Sequence, residues 1–531
     1  MNRRDFLRYS IPVGTLPFMI GGFPIHAYGR SPLMDALAGF AIPNDRCLVL
    51  IQLNGGNDGL NMVIPLDQYA ALTSVRSNIL IPQASVLSLT TLTGLHPSMT
   101  GLASMYSNGE LAIIQGVSYQ NPNFSHFRAT DIWLTGADYN QVLTTGAWGR
   151  YLDSEFSNYP TGYPNADAPD PLALCIGSVI SPGLQGPNVS MGIAISNPNS
   201  QYILPGGSDV APTTPAGHEL SYIREVAQQT QVYSSSIKTA SDKVTNKATY
   251  PTNNPLADQL KILARLVAGG LKTRIYVVNL GGFDTHSVQV DSTDHTKGTH
   301  ATLLGHLSDA ISTFINDLAL LGVDNNVVGM TFSEFGRRIK SNASVGTDHG
   351  TALSMFVFGK PVNAGIVGTN PVLTNNSTGV VKDNLDMQFD FRTVYTSLLR
   401  DWLGASTAEL QNTMITPLYT QVQNSLNLIT PSAIADVKNP VLLPTQYELR
   451  QNYPNPFNPS TTVEYQLRRT SSILLEVYDT SGRRVAVLDE GIREPGVFRI
   501  LFDASHLASG TYFCRLQFEG GSQTKKMVLL R

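Results

Sequence analysis

The stretch TRIYVVNLGGFDTHSVQ, residues 273–289, decides the fold. Its apolar run from Tyr276 to Leu280 shows no polar alternation, which is how a strand buried on both faces reads. It stops at the pair Gly281-Gly282, and Asp284-Thr285-His286 follow at once. The pattern returns downstream in NNVVGMTFSEFGRR (325–338) and then VGTDHGTA (345–352), where Asp348 adjoins His349.

Helical signals alternate with these strands. In NNPLADQLKILARLVAGG (253–270), Pro255 falls in the first turn, Leu256, Leu260, Leu263 and Val267 share one face, and a glycine pair ends the run. In TLLGHLSDAISTFINDLALLG (302–322), Leu303, Leu307, Ile311, Phe314 and Leu318 form one stripe and Gly322 is the stop. Upstream, CLVLIQL (47–53) ends in the loop NGGNDGLN, and LAIIQGV (111–117) leads through YQNPNF into SHFRATDIWLTG, a helix expected from Ser125. Strand, helix, strand in this order predicts an α/β body with a parallel sheet flanked by helices. Such sheets bind ligands beyond the carboxyl ends of their strands. Asp58, Ser125, Asp284, His286 and Glu334 would gather there, with Asp348 and His349 on a loop shortly beyond.

The length of 531 residues calls for two or more domains. A net charge of −4 supplies no basic field, so nucleic acid is not an expected partner. Cys47, Cys175 and Cys514 are too scattered for a metal clip or a disulfide framework and read as buried thiols. Residues 1–29, MNRRDFLRYSIPVGTLPFMIGGFPIHAYG, resemble a twin-arginine export signal: Arg3-Arg4, then Phe6-Leu7, then an uncharged apolar run. That run is too short and too rich in Gly and Pro to span a membrane, and no span is expected in the mature chain. The body is expected over 30–437, a linker over 438–448 and a second domain over 449–531. Within the body, the polar segment 200–252 reads in part as an insertion over the site. In the second domain, short runs such as ILLEVYD, VFRILFD and TYFCRLQF, separated by TSG, EPG and ASG, indicate a small all-β sandwich.

Two resemblances sharpen the reading. YPNPFNPSTTVEYQL, VYDTSGRRVAVL, SGTYFCRLQF and the end KKMVLLR resemble the type A sorting domain of type IX secretion. This implies the type IX machinery as a partner and a secreted or cell-surface location reached through the periplasm. The blocks LVLIQLNGGNDGLNMVIPL, NFSHFRATDIW, VVNLGGFDTHSVQ and FSEFGRRIKSNASVGTDHGTA, in that order behind the leader, resemble a bacterial family of unknown function grouped with the alkaline phosphatase and sulfatase superfamily. An alkaline-phosphatase-like α/β fold is the implied architecture.

By that resemblance Asp58 (or Asn57), Asp284, His286, Asp348 and His349 are the implied metal ligands and Ser125 the implied nucleophile. Asp and His suit Zn²⁺ best, with Mg²⁺, Mn²⁺ or Ca²⁺ as alternatives. Asp284 and His286, two apart in an extended loop, project to the same side and could share an ion. Each assignment has a plain counterpart. Ser125 is equally an N-cap, the Asp-containing loops are ordinary turn chemistry, and Glu334 with Arg337 could be a buried structural pair. His126 and Glu334 are accessory candidates, Arg337 is a candidate clamp for an anionic substrate, and His96 reads as structural. The resemblance breaks at one point: after His349 the next histidine is His506, in the sorting domain. Either one ion is held, or His126, His295, His300 or His306 completes the set, or the site has decayed. No C-x-P-x-R segment is present to supply a sulfatase's oxidised nucleophile. The expected function is a metal-dependent hydrolase-like protein acting on a small phosphate or sulfate ester. The alternative is a non-catalytic surface protein that keeps the phosphatase-like fold to bind a glycan or a partner.

Overall fold

The computed structural model describes residues 18–20, 23–25, 45–198, 214, 230–414, 425–431, 433, 447–493 and 496–530. They fall into two compact units, one built on Ile42–Lys438 and the other on Asn439–Val497 and Leu501–Arg531. The expected export leader lies outside the described residues, save for a short antiparallel pair, Phe18–Ile20 with Phe23–Ile25. Much of the segment 200–252 and most of the linker also lie outside them.

The body contains β1 (Cys47–Asn54), β2 (Leu111–Ser118), β3 (Ala173–Ile176), β4 (Gly192–Ile195), β5 (Ile275–Gly281), β6 (Val327–Phe332), β7 (Arg337–Ser341), β8 (Thr347–His349), β9 (Leu353–Phe358), β10 (Gly365–Val367) and β11 (Phe389–Asp390). Nine of them form one sheet in the order β10-β2-β9-β6-β1-β5-β3-β4, with β11 beside β2, while β7 and β8 make a separate ribbon. Strands β6, β1 and β5 are adjacent and parallel at its centre.

The expected parallel sheet is present at the centre, and the sheet as a whole is mixed, because β9 runs antiparallel to both β6 and β2. The chain travels from β6 to β9 through the β7–β8 ribbon without a crossover helix, and a return of that kind reverses the strand. The non-alternating strands are buried on both faces. Leu48, Leu50, Ile275, Val277, Val328 and Met330 point into one core, and Cys47, Val49, Ile51, Tyr276, Val278 and Val327 into another.

Helix α1 is His126–Thr135, α2 is Pro255–Ala268 and α3 is Thr299–Leu321. The Asn254 side chain caps α2 by accepting the Leu256 and Ala257 amides, and Leu256, Leu260, Leu263 and Val267 are buried as expected. Helix α3 begins earlier than the sequence suggests, and Leu304 rather than Leu303 joins Leu307, Ile311, Phe314 and Leu318 in the buried stripe. All three cysteines are free and buried. Among the described residues no helix is long and apolar enough to cross a membrane.

The C-terminal unit holds a three-stranded sheet (Glu448–Leu449, Ser460–Leu467, Gly496–Asp503) and a four-stranded antiparallel one (Arg484–Arg493, Ser471–Asp479, Gly510–Phe518, Gly521–Leu529). Along Ser460–Leu467 every second residue is buried: Thr461, Val463, Tyr465 and Leu467. That is the period of a strand with one face on a core.

Candidate metal centre

Three central strands deliver their next residues to one rim. Asn54 of β1 runs into Gly55-Gly56, Gly281 of β5 into Asp284 and His286, and Phe332 of β6 into Ser333-Glu334. The loops after β1 and β5 touch so closely that a Cβ on Gly55, whose φ is +124°, would stand 2.3 Å from the Asp284 amide nitrogen. Only glycine allows that approach. The first residue of α1 is His126, and the β7–β8 ribbon adds Asp348 and His349.

Three imidazoles converge on one carboxylate. Asp284 Oδ1 lies 3.2 Å from His286 Nε2 and 3.4 Å from His349 Nε2, and Asp284 Oδ2 lies 3.5 Å from His126 Nε2. The two nitrogens of His286 and His349 are 2.8 Å apart. Each ring turns its other nitrogen to an oxygen: His126 Nδ1 to Glu334 Oε1 at 2.9 Å, His349 Nδ1 to the Phe124 carbonyl at 2.8 Å, and His286 Nδ1 to Asp348 Oδ1 at 3.5 Å. Each ring therefore stands between two acceptors, and a metal ion held at Nε2 would place its proton on Nδ1. Phe335 underlies it, with ring centroids 5.0 Å from His126 and 4.4 Å from His349.

This donor set fits a divalent cation. The 2.8 Å between the His286 and His349 nitrogens is the length of an N–H···N hydrogen bond, so without an ion the two rings share a proton there. Donors bound at about 2.0 Å in a tetrahedron are about 3.3 Å apart, close to the separations from Asp284 Oδ1. A carboxylate or carbonyl behind each ligating histidine is the usual outer support of a metal site. Donor atoms of His126, Asp284 and His349 all lie within 4.8 Å of one another.

Charge is tuned in the same sense. Burial alone would raise the Asp284 pKa, but the hydrogen bond and charge of Arg337, with smaller help from His349 and His126, hold it below the usual carboxylate range. Burial and the Arg337 charge outweigh the Phe124 carbonyl and lower the His349 pKa, which favours the neutral ring a metal requires. The Asn342 amide, against a smaller effect of burial, keeps the Asp348 carboxyl low as well.

Several sequence expectations are redistributed by the geometry. Asp58 is buried, and its carboxylate is taken by Arg76 at 3.2 Å, by Gln289 Nε2 at 2.7 Å and by the Leu60 amide at 3.2 Å. It is a structural anchor, because an oxygen already spent on a guanidinium and an amide is not offered to the rim. Asn57 is likewise buried and accepts from His300 Nε2 at 2.9 Å. Arg337 is no substrate clamp. It is 1 % exposed, and its donors go to the Gly56, Gly55, Thr347 and Phe283 carbonyls and to Asp284 Oδ1.

Asp348 and Glu334 stand behind His286 and His126 instead of among the converging atoms. Glu334 is buried and also accepts the Gly55 amide at 2.9 Å. Ser125 is the exposed N-cap residue of α1, and its side chain makes no capping hydrogen bond. Among the described residues, His126 is the upstream histidine that reaches the cluster. His295 Nδ1 faces the Leu80 carbonyl and His300 faces Asn57. No sequence signal marks the Phe124 carbonyl, Arg76, or Gln289, which bonds to both Thr285 and Thr347.

Comparison with known proteins follows the same outline. Residues 216–394 match the family described as "Protein of unknown function (DUF1501)", and residues 451–530 match the "Secretion system C-terminal sorting domain". No curated protein matches the chain. Among solved structures, Ps i-CgsB in complex with k-i-k-neocarrahexaose is 12% identical, covering 80% of this chain and 84% of that one, with a TM-score of 0.33. A protein in the alkaline phosphatase superfamily from Vibrio parahaemolyticus is 9% identical over 87% and 92%, with a TM-score of 0.31. The PsFucS1 sulfatase from Pseudoalteromonas sp. is 9% identical over 87% and 84%, with a TM-score of 0.28. Similarity this slight carries no conclusion about site or activity. Residues 216–394 thus resemble a family of unknown function, and residues 451–530 match a sorting domain that implies type IX secretion to the cell surface.

Proposed function

We propose that this is a surface-directed, metal-dependent hydrolase acting on a phosphate or sulfate ester. One observation carries the reading: the Nε2 atoms of His126, His286 and His349 face the Asp284 carboxylate, and each Nδ1 is turned to an oxygen. His126, Asp284, His286 and His349 would hold the ion, zinc being the best match to nitrogen and carboxylate donors. A bound divalent ion supplies a Lewis acid that polarises the ester oxygen and lowers the pKa of a nearby hydroxyl or water.

The chain's own residues do the rest. Glu334, the Phe124 carbonyl and Asp348 fix the three rings, and Arg337 fixes and charges Asp284. Ser125, exposed and one residue from His126, is the nucleophile in this reading. It is the N-cap of a helix of ten residues, and the first amides of a helix, which have no partner within it, favour an anionic group.

A second reading, glycan binding without turnover, is favoured by one fact: Arg337 is fully engaged and gives the substrate no cationic grip. Assays of the full chain on aryl phosphates and aryl sulfates, with and without added zinc, separate the two. Zinc-dependent turnover that is lost in Ser125→Ala supports the hydrolase. Zinc binding with no turnover on either ester supports the binder.

A further inference from the structure

The two loops that carry the converging groups, 284–286 and 347–349, are far apart in sequence and yet share one buried brace. Gln289 is fully buried. Its Oε1 accepts from Thr285 Oγ1 at 3.0 Å and from Thr347 Oγ1 at 2.8 Å, while its Nε2 donates to Asp58 Oδ2 at 2.7 Å. Thr285 separates Asp284 from His286, and Thr347 precedes Asp348-His349. The amide orientation is forced by its partners. A carboxylate beside the Arg76 guanidinium only accepts, so Nε2 faces Asp58 and Oε1 is left for both hydroxyls.

Backbone contacts press the same loops together. The Thr347 amide donates to the Thr285 carbonyl at 3.2 Å and the Gln289 amide to the Val345 carbonyl at 2.8 Å. A Cβ on Gly346 would lie 2.4 Å from the His286 carbonyl carbon. Val288 and Val345 adopt φ of +50° and +58°, a left-handed conformation that β-branched residues avoid. Strain of that kind persists only where the surroundings over-determine it.

We propose that Gln289 is a positioning residue that sets the spacing between the Asp284–His286 pair and His349 by bonding both loops to the Asp58–Arg76 anchor. The inference rests on the metal-centre reading above. Gln289 touches none of the converging atoms. It acts through Thr285, which lies between Asp284 and His286, and through Thr347, two residues before His349. Removing it frees the loops to separate, which lengthens the gap a single ion has to bridge.

The test is titration of the metal-stripped full chain with Co²⁺, followed by its visible absorption, in wild type, Gln289→Met and Asn61→Leu. Asn61 accepts from Arg76 in the same buried network at 3.2 Å and has no bond to either loop, so it reports a purely structural loss. Gln289→Met is expected to bind Co²⁺ at least about tenfold more weakly, with an altered spectrum, while Asn61→Leu is destabilised yet keeps wild-type affinity and spectrum. Should Gln289→Met fail to fold, Thr285→Val and Thr347→Val each remove one hydroxyl donor, and each is expected to weaken binding. Wild-type affinity in Gln289→Met, or in both threonine variants, overturns the proposal. So does a loss of affinity in Asn61→Leu equal to that in Gln289→Met. A wild-type chain that binds no Co²⁺ overturns the metal-centre reading itself, which distinguishes that failure from failure of the brace alone.

Discussion

Glu334 Oε1 lies 2.9 Å from His126 Nδ1 and accepts the Gly55 amide at the same distance, so one carboxylate oxygen joins the start of α1 to the loop after β1. A residue in that place sets the direction and basicity of the ring. Glu334→Gln keeps an acceptor but loses the charge, and metal affinity should fall about tenfold. Glu334→Leu also leaves the Gly55 amide unpaired, and the fall should be larger, with stability lowered by about 1–3 kcal/mol. Competition titration against a zinc chelator measures the first effect and urea unfolding the second. Unchanged affinity in both variants would detach Glu334 from the centre.

Asp58 and Asp284 should fail in opposite ways. Asp58→Ala strands the fully buried Arg76, and loss of one partner of a buried pair costs about 3–5 kcal/mol. Asp284 is 48 % exposed at its side chain, so Asp284→Ala should fold and lose metal instead. Thermal melting beside elemental analysis of the two variants decides this. A well-folded Asp58→Ala that has lost its metal would restore Asp58 as a ligand.

Arg337 holds four backbone carbonyls and Asp284 together, and Lys cannot reproduce that fork. Arg337→Lys should lower unfolding free energy by about 3 kcal/mol or more. If Arg337 gripped substrate, the variant would instead keep wild-type stability and show only a raised KM.

Acid should weaken the fold before the carboxylates titrate. Burial lowers the pKa of His300 from 6.5 to about 4 and, together with the nearby His300, that of His96 to about 3. Above pH 6.5 both are neutral in folded and unfolded chains alike, and their contribution is fully present. Between pH 6.5 and about 4 the unfolded chain binds protons that the folded chain refuses, so stability falls with pH, by on the order of 3 kcal/mol for His300 alone. Urea unfolding at pH 7, 5.5 and 4.5 should show that slope, and His300→Gln should flatten it. Equal slopes in wild type and variant would contradict the assignment.

Much of this was legible in the sequence, and for identifiable reasons. Tyr276–Leu280 is apolar at every position except Asn279, so a strand buried on both faces could be read directly, and the loops that follow could be placed at its carboxyl end. Asp284, His286 and His349 were singled out on that basis. The antiparallel β9 was hidden because strand direction depends on the connection, and the β7–β8 ribbon has no strong period. The partners of Arg337 and Asp58 are not legible, because a sequence shows a charge but not where its hydrogen bonds go. Arg337 bonds to Gly55, Gly56 and Phe283, and Asp58 to Gln289, contacts between residues remote in sequence. The division of labour between Asp284, which faces the ring nitrogens, and Asp348, which backs His286, is a matter of a few ångströms.

The central claim is that His126, His286, His349 and Asp284 hold one divalent cation. The most direct measurement is elemental analysis of the purified full chain after dialysis against dilute zinc, beside His286→Ala and His349→Ala. The account predicts near-stoichiometric zinc in the wild type, removable by chelator, and little in either variant while both remain folded. Zinc-free wild-type protein, or variants that retain the metal, would contradict it.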